Sequence, residues 1–170
     1  FFLTVIFDLT IAIEWGLVIA CVLFMRRVME TTEISVIKDE IDPNKESDLE
    51  VHEEHLIIPD GVEVYEINGP YFFGIATKFE EIMANMGDRP KVRIVRMRKV
   101  PFIDSTGVHN LTNLCEMCQK DNIQVVLSGV NEKVHAVLQK TGFFYDLIGK
   151  ENICPNINAA LERAKEIVEK

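Results

Sequence analysis

The sequence predicts an α/β fold, a sheet with packed helices, preceded by a transmembrane helix. Short runs rich in valine and isoleucine alternate with segments whose apolar residues recur at helical spacing, and this alternation is typical of α/β domains. The first 25 residues are nearly all apolar, with Asp8 and Glu14 as the charged exceptions. The chain has 170 residues, enough for one domain and an additional segment.

The apolar N-terminal segment is predicted to belong to a membrane domain. Asp8 divides it into the end of one span and a second span, Ile11 to Met25, which Arg26 and Arg27 follow. A spanning helix needs about 20 apolar residues, and adjacent arginines after such a run favour the cytoplasmic side. The alternative, a helix of a soluble core, fits less well because the segment has little polar face. We therefore expect residues 1–28 to end a transmembrane domain in the cell membrane, in contact with lipid.

The segment 29–54 is strongly acidic. From residue 30 it contains ten acidic residues and two lysines, a net charge of −8 within a whole-chain charge of −9. Such a charge run is usually a solvated tether, and a nucleic-acid partner is not expected. The remaining residues, 55–170, are nearly neutral and are predicted to form a cytoplasmic domain.

Four strands and four helices are predicted in this domain. A Pro-Asp-Gly turn at 59–61 separates the first two strands, and Pro101 ends the third. Gly87 and Gly142 are suited to the ends of helices. The predicted strands are 56–58, 62–67, 91–97 and 123–127, and the predicted helices are 72–86, 108–118, 134–141 and 157–168.

The segment 102–107, Phe-Ile-Asp-Ser-Thr-Gly, lies where the third strand gives way to a helix. Asp104 or Ser105 can be the helix N-cap, because either side chain can accept a hydrogen bond from the N–H groups of the first turn. Gly107 permits a close approach of the backbone to a neighbouring group. Capping alone accounts for these residue types, but an exposed serine at a helix N-terminus is also where a phosphate or another anion is stabilised.

This junction carries a resemblance to a known family. The chain from about residue 54 to its end resembles a STAS domain, whose landmark is an Asp-Ser-x-Gly-like motif at a strand-to-helix junction. The motif reads Asp104-Ser105-Thr106-Gly107 in this sequence. The resemblance implies the STAS fold. It also implies Ser105 as a regulatory phosphoacceptor, since this serine is phosphorylated in the stand-alone anti-sigma-factor antagonists.

The N-terminal segment looks like the last membrane segments of SulP-family anion permeases. The similarity lies in FLTVIFDLTIAIE at 2–14, GLV at 16–18 and LFMRR at 23–27, and a STAS domain follows the membrane domain in that family. It implies the C-terminal part of a secondary active transporter of sulfate, bicarbonate or a dicarboxylate, with the substrate site in preceding helices. The STAS domain would then be a cytoplasmic regulatory and interaction module of a homodimer, attached to the rest of the transporter.

A second function class fits the same domain. A membrane-tethered signalling switch, similar to an anti-sigma-factor antagonist, would work through phosphorylation of Ser105 and exchange of partners. The upstream sequence discriminates between the two, because a permease has many further hydrophobic spans and a switch has a single anchor. An enzyme is not expected, since no nucleophile–base pair or metal constellation is evident.

A basic cluster precedes the junction and holds six of the eighteen lysines and arginines, Arg89, Lys91, Arg93, Arg96, Arg98 and Lys99. Some of these side chains are expected near Ser105, where they would attract an anion, a nucleotide, an acidic cytoplasmic protein or the tether. The alternative is a solvated strand flank. The candidate residues for binding an anion or a partner are therefore Asp104, Thr106, Gly107, Arg98 and Lys99.

Metal and cofactor sites are not expected. Cys115 and Cys118 form a Cys-x-x-Cys pair on the apolar side of a predicted helix, so core thiols fit better than a zinc or redox site. His52 and His55 lie in or beside the acidic tether and lack the His-Glu-x-x-His spacing of zinc proteases. The four cysteines indicate no disulfide framework, which is consistent with a reducing cytoplasm.

Overall fold

The chain forms two compact units, Phe1–Thr32 and Glu33–Lys170. The computed structural model describes residues 8–30, 33–37, 40–41, 56–71, 90–142 and 147–169. The first unit contains helix α1, Leu9–Glu30. Its stretch Leu9–Arg27 has 19 residues and a mean hydropathy of 1.9, so it is long and apolar enough to cross a membrane, and none of it is buried in the protein. The predicted end of a preceding span, residues 1–7, lies outside the described residues.

The second unit is built on a sheet. Its strands are β1 Glu33–Ile37, β2 Glu40–Ile41, β3 Leu56–Ile57, β4 Val62–Asn68, β5 Val92–Arg96, β6 Gln124–Ser128 and β7 Ile153–Cys154. Five of them form one sheet in the order β1-β4-β5-β6-β7, whereas β2 and β3 form a separate antiparallel pair. Strands β4 to β7 are parallel, and β1 runs antiparallel to β4.

Helices cover both faces of the sheet. They are α2 Ser105–Lys120, α3 Glu132–Lys140 and α4 Ile157–Val168, with a 3-10 turn at Lys150–Asn152. On one face α2 and α3 contribute Leu111 and Leu138 to a core cluster that includes Val95. On the other face α4 contributes Leu161 to a cluster that includes Ile94. β5 is buried on both faces, and Ile94 and Val95 face the two opposite clusters. The α/β fold predicted from the alternation of strands and helices is confirmed.

Two strands, β1 and β2, lie within the segment that the sequence predicts to be a solvated tether. β1 pairs along its whole length with β4, from Glu33 opposite Asn68 to Ile37 opposite Val64. Ile34 packs against the core. The expectation of a tether over 29–54 is therefore wrong for this part, because the β-branched residues of Glu-Ile-Ser-Val-Ile favour pairing despite the surrounding charge.

The structure differs from the sequence prediction at two further places, and a third prediction concerns residues that it does not describe. The structure has a strand at Ile153–Cys154 that the sequence does not predict, because two residues have no detectable periodicity. The strand predicted at 56–58 pairs with Glu40–Ile41 and not with the five-stranded sheet. The helix predicted at 72–86, with Gly87 at its end, lies outside the described residues.

Candidate functional site

The Asp104–Gly107 junction is the N-terminus of α2. Asp104 has an extended backbone, with φ −94° and ψ 177°, and its Oδ1 accepts a hydrogen bond from the Gly107 N–H at 2.6 Å. Ser105 is the first residue of the helix and is exposed. Of the two cap residues that the sequence left open, Asp104 therefore has this role and Ser105 does not.

Gly107 is required by close packing. A Cβ atom at this position would lie 2.4 Å from the carbonyl oxygen of Tyr71 and 2.8 Å from Cγ1 of Ile103. The Tyr71 N–H donates to the Phe102 carbonyl at 3.2 Å, which holds the two segments together. The close approach expected at Gly107 is thus to the protein's own backbone, and it fixes the junction against the segment that follows β4.

The surface around Ser105 combines polar and apolar groups. Asp104 and Ser105 are exposed, and Thr106 is half-buried. Phe102 is 52% exposed and lies immediately before the motif. Sequence reasoning did not single out Phe102, although an aromatic residue after Pro101 in a loop was a signal that could have identified it. The junction thus has an exposed hydroxyl at Ser105 and an exposed aromatic side chain three positions earlier in the chain.

Arg93, a member of the basic cluster, is buried and paired inside the domain. Its Nε lies 3.3 Å from Glu63 Oε2, and its Nη1 donates to Cys118 Sγ at 3.6 Å. The Tyr65 hydroxyl donates to the same Glu63 oxygen at 2.8 Å. Burial, and next this hydrogen bond, raise the pKa of Tyr65. Arg93 therefore belongs to an internal polar network and not to a ligand site at Ser105.

Other members of the basic cluster occupy separate positions. Arg96 is buried, with its Nη1 3.1 Å from Glu66 Oε1. Lys91 lies at the opposite end of β5, where its Nζ donates to the carbonyl of Val168 at 3.0 Å. Arg89 lies outside the described residues. The expectation of a solvated, basic strand flank therefore does not hold for Arg96.

Arg98 and Lys99, the two cations predicted to bind an anion or a partner, also differ in position. Arg98 is exposed and lines a cavity formed with the ends of β5 and β6 and the start of α4. Among the described residues that line this cavity, none belongs to the Asp104–Gly107 junction. Lys99 is half-buried, and its carbonyl accepts a hydrogen bond from the Gly69 N–H at 3.3 Å. Arg98 thus belongs to a cavity that the junction does not line.

The Cys-x-x-Cys pair lies in the core. Cys115 and Cys118 are buried on the sheet-facing side of α2. Burial raises the pKa of both thiols, although Arg93 opposes this increase at Cys118. Within the described ranges, no cluster of histidine, cysteine and carboxylate side chains could hold a metal ion.

The chain is similar to known proteins over most of its length. The STAS domain family matches residues 55–160. YvdB of Bacillus subtilis (strain 168), provisionally named a sulfate transporter, is 31% identical over 159 residues, which are 89% of this chain and 27% of that protein. The chain therefore corresponds to only a part of this relative.

Solved structures have the same fold. A sulfate transporter family protein from Wolinella succinogenes is 42% identical, with a TM-score of 0.64, over 68% of this chain and 93% of its own. The STAS domain of a SulP transporter from Vibrio cholerae is 35% identical, with a TM-score of 0.59, over 66% of this chain and 87% of its own. An anti-sigma factor antagonist from Mycobacterium paratuberculosis shares the fold alone, with 20% identity and a TM-score of 0.53, over 78% of this chain and 95% of its own. The chain therefore belongs to the STAS domain family and is a STAS-containing member of the SulP group.

Proposed function

We propose that the chain is the C-terminal part of a secondary active transporter of an inorganic anion such as sulfate. Its STAS domain is a cytoplasmic regulatory and interaction module. The main support is the order of the two parts, because an apolar helix of membrane-spanning length precedes a STAS domain. The similarity to YvdB covers both parts, since it extends over 89% of this chain. The transport site then lies in membrane helices that precede α1.

Ser105 is the proposed regulatory residue. It is exposed at the start of α2, where the unpaired N–H groups and the helix dipole favour a negative charge. Because Asp104 already caps the helix, a phosphate on Ser105 leaves the cap hydrogen bond in place. The phosphate adds roughly −1.5 to −2 charges at the exposed start of α2, which changes the partners that this surface accepts. The partner is a cytoplasmic protein or another part of the transporter, which we propose to be a homodimer.

The arginines at the end of the span support the proposed orientation. Adjacent arginines such as Arg26 and Arg27 favour the cytoplasmic side, which supports a cytoplasmic STAS domain. A cysteine introduced by Ser47→Cys tests this orientation, in a background where Cys21, Cys115, Cys118 and Cys154 are replaced by alanine. A membrane-impermeant maleimide should leave intact cells unlabelled and label the protein after lysis. Labelling of intact cells would place the domain outside.

Uptake by the full-length protein tests the transport function. Proteoliposomes are supplied with labelled sulfate, bicarbonate or a dicarboxylate under an ion gradient, and a protein truncated after Thr32 is measured alongside. We expect saturable uptake of at least one of these anions and a changed rate in the truncated protein, since the regulatory module has been removed. If none of the anions is taken up by either protein, the transport proposal is wrong.

The fold likeness to an anti-sigma factor antagonist supports one other candidate function, a membrane-tethered signalling switch. Such a switch exchanges protein partners when Ser105 is phosphorylated and transports nothing. It also needs only one membrane anchor. Absence of uptake, together with a phosphorylation-dependent change in the proteins bound, would favour this candidate over the transporter.

A further inference from the structure

A row of polar side chains crosses the sheet on the face that α4 covers. Glu66, Arg96, Ser128 and Cys154 occupy the same register on four neighbouring parallel strands. Residues at one register of a sheet point to the same face, and the preceding residues of this face, such as Ile94, belong to the apolar cluster under α4. The apolar face therefore becomes polar at the carboxyl ends of the strands, which is where ligands bind in open α/β sheets.

A cavity of about 380 Å³ lies at this edge. Its walls include Arg96 and Ser128 from the strand ends, Arg98 from the segment after β5, and Asn156 and Asn158 at the start of α4. Among the described residues that line it, two are arginines and none is a carboxylate. The cavity is thus large enough for a small ligand and has a positive lining.

Ser128 gives a reason to expect a ligand. Ser128 is only 1% exposed, and its Oγ has no hydrogen-bond partner in the part of the chain that the structure describes. A buried hydroxyl without a partner is unfavourable, and such groups in native proteins call for an explanation. A ligand oxygen in the cavity beside Ser128 would supply the missing acceptor.

Arg96 retains hydrogen-bonding capacity in the same place. Its Nη1 is 3.1 Å from Glu66 Oε1, yet none of the described residues donates a hydrogen bond to this oxygen. The pair is therefore an ion pair without a directed hydrogen bond between these two atoms. A guanidinium group carries five N–H donors in a planar fork that matches phosphate and carboxylate oxygens. Arg96 can thus keep its contact with Glu66 and still donate to a ligand.

The start of α4 adds a third kind of anion-binding group. Asn156 is its N-cap, with Oδ1 accepting from the Ala159 N–H at 2.9 Å. The first N–H groups of a helix have no partner within the helix, and the positive end of the dipole lies there. We propose that Ser128, Arg96, Arg98 and the N-terminus of α4 form a binding site for a tetrahedral oxyanion, a sulfate or phosphate that is free or carried by a nucleotide. This site does not depend on transport activity or on Ser105.

Calorimetric titration of the full chain in detergent tests the site. The probes are inorganic phosphate, sulfate and adenosine monophosphate, with sodium chloride at matched ionic strength as the reference. We expect saturable binding of at least one probe. Equal affinity for phosphate and the nucleotide identifies the free anion as the ligand, whereas tighter binding of the nucleotide identifies the carried phosphate. Absence of binding by all three probes, or binding no different from that of chloride, overturns the proposal.

Three variants locate the binding. Ser128→Ala and Arg98→Gln should each weaken binding about tenfold or more, because each removes a hydrogen bond to a charged ligand. Lys133→Gln, which removes an exposed cation that does not line the cavity, should bind like the parent. Without ligand, Ser128→Ala should melt no lower than the parent, since its hydroxyl has no partner to lose. Unchanged affinity in both cavity variants contradicts the site even if the parent binds an anion.

Discussion

Asp104 Oδ1 and the backbone N–H of Gly107 are joined by a 2.6 Å hydrogen bond that closes the first turn of α2. This bond shows that Asp104 is the helix cap, a role for which the sequence alone left both Asp104 and Ser105 as candidates. Asp104 holds the helix end, and the neighbouring Ser105 presents an exposed hydroxyl. Modification of Ser105 can therefore change the surface without removing the cap.

Removal of the cap should destabilise the domain, and removal of the serine should not. For Asp104→Ala we expect a loss of about 1 kcal/mol in the free energy of unfolding, because the Gly107 N–H loses its acceptor. For Ser105→Ala, the matched control at the next position, we expect almost no change. Urea unfolding of the fragment 33–170 measures both values. Equal losses in the two variants would mean that the cap has been assigned to the wrong residue.

Gly107→Ala should have two opposing effects on the stability of the domain, one through helix propensity and one through packing. Alanine is favoured over glycine inside a helix by about 1 kcal/mol. The added Cβ, however, would lie 2.4 Å from the Tyr71 carbonyl oxygen, and a clash with backbone costs about 1–3 kcal/mol or more. We therefore expect a net loss of stability in the urea experiment, accompanied by a chemical-shift change at Tyr71. A gain in stability would contradict the close packing.

The buried centre of the sheet could be predicted from the sequence because β4, β5 and β6 are short segments rich in apolar residues and separated by turn residues. β1 was not predicted because the segment was interpreted as a tether from its net charge, although Ile34 and its β-branched neighbours favour a strand. The cavity could not be predicted, since Arg96 and Ser128 are distant in the chain and become neighbours only through strand register. For the same reason the sequence could not show that Arg93 is paired internally while Arg98 faces a cavity.

Strand β1 should contribute to the stability of the STAS domain. A fragment 33–170 keeps its pairing with β4, whereas a fragment 55–170 leaves that edge of β4 unpaired. The shorter fragment should still melt cooperatively, but about 4 °C or more lower than the longer one, as expected for a loss of about 1 kcal/mol. Equal melting temperatures would show that β1 adds nothing to the fold.

Alkaline pH should destabilise the domain. Burial raises the folded-state pKa of Cys115, Cys118 and Tyr65 above their ordinary values, so the folded state holds these protons more tightly than the unfolded state does. Their stabilising contribution is complete below the unfolded-state pKa values and is lost as the pH rises from there towards the folded-state values, by up to about 1.4 kcal/mol per pH unit for each group. The urea midpoint should fall from about pH 8 to about pH 11, and Tyr65→Phe should reduce the slope only near and above about pH 10, the ordinary pKa of tyrosine. A midpoint that stays constant or rises would contradict these shifts.

The most direct test of the account is anion uptake by the full-length protein carrying Ser105→Glu. Proteoliposomes with this variant, with Ser105→Ala and with the parent are compared at equal protein content, and the melting temperature of fragment 33–170 is measured for each. We expect Ser105→Glu to alter the uptake rate relative to Ser105→Ala, because a charge at the exposed end of α2 changes partner docking, while the melting temperatures stay nearly equal. Identical uptake by all three proteins would mean that the junction is only a helix cap and would contradict the regulatory role.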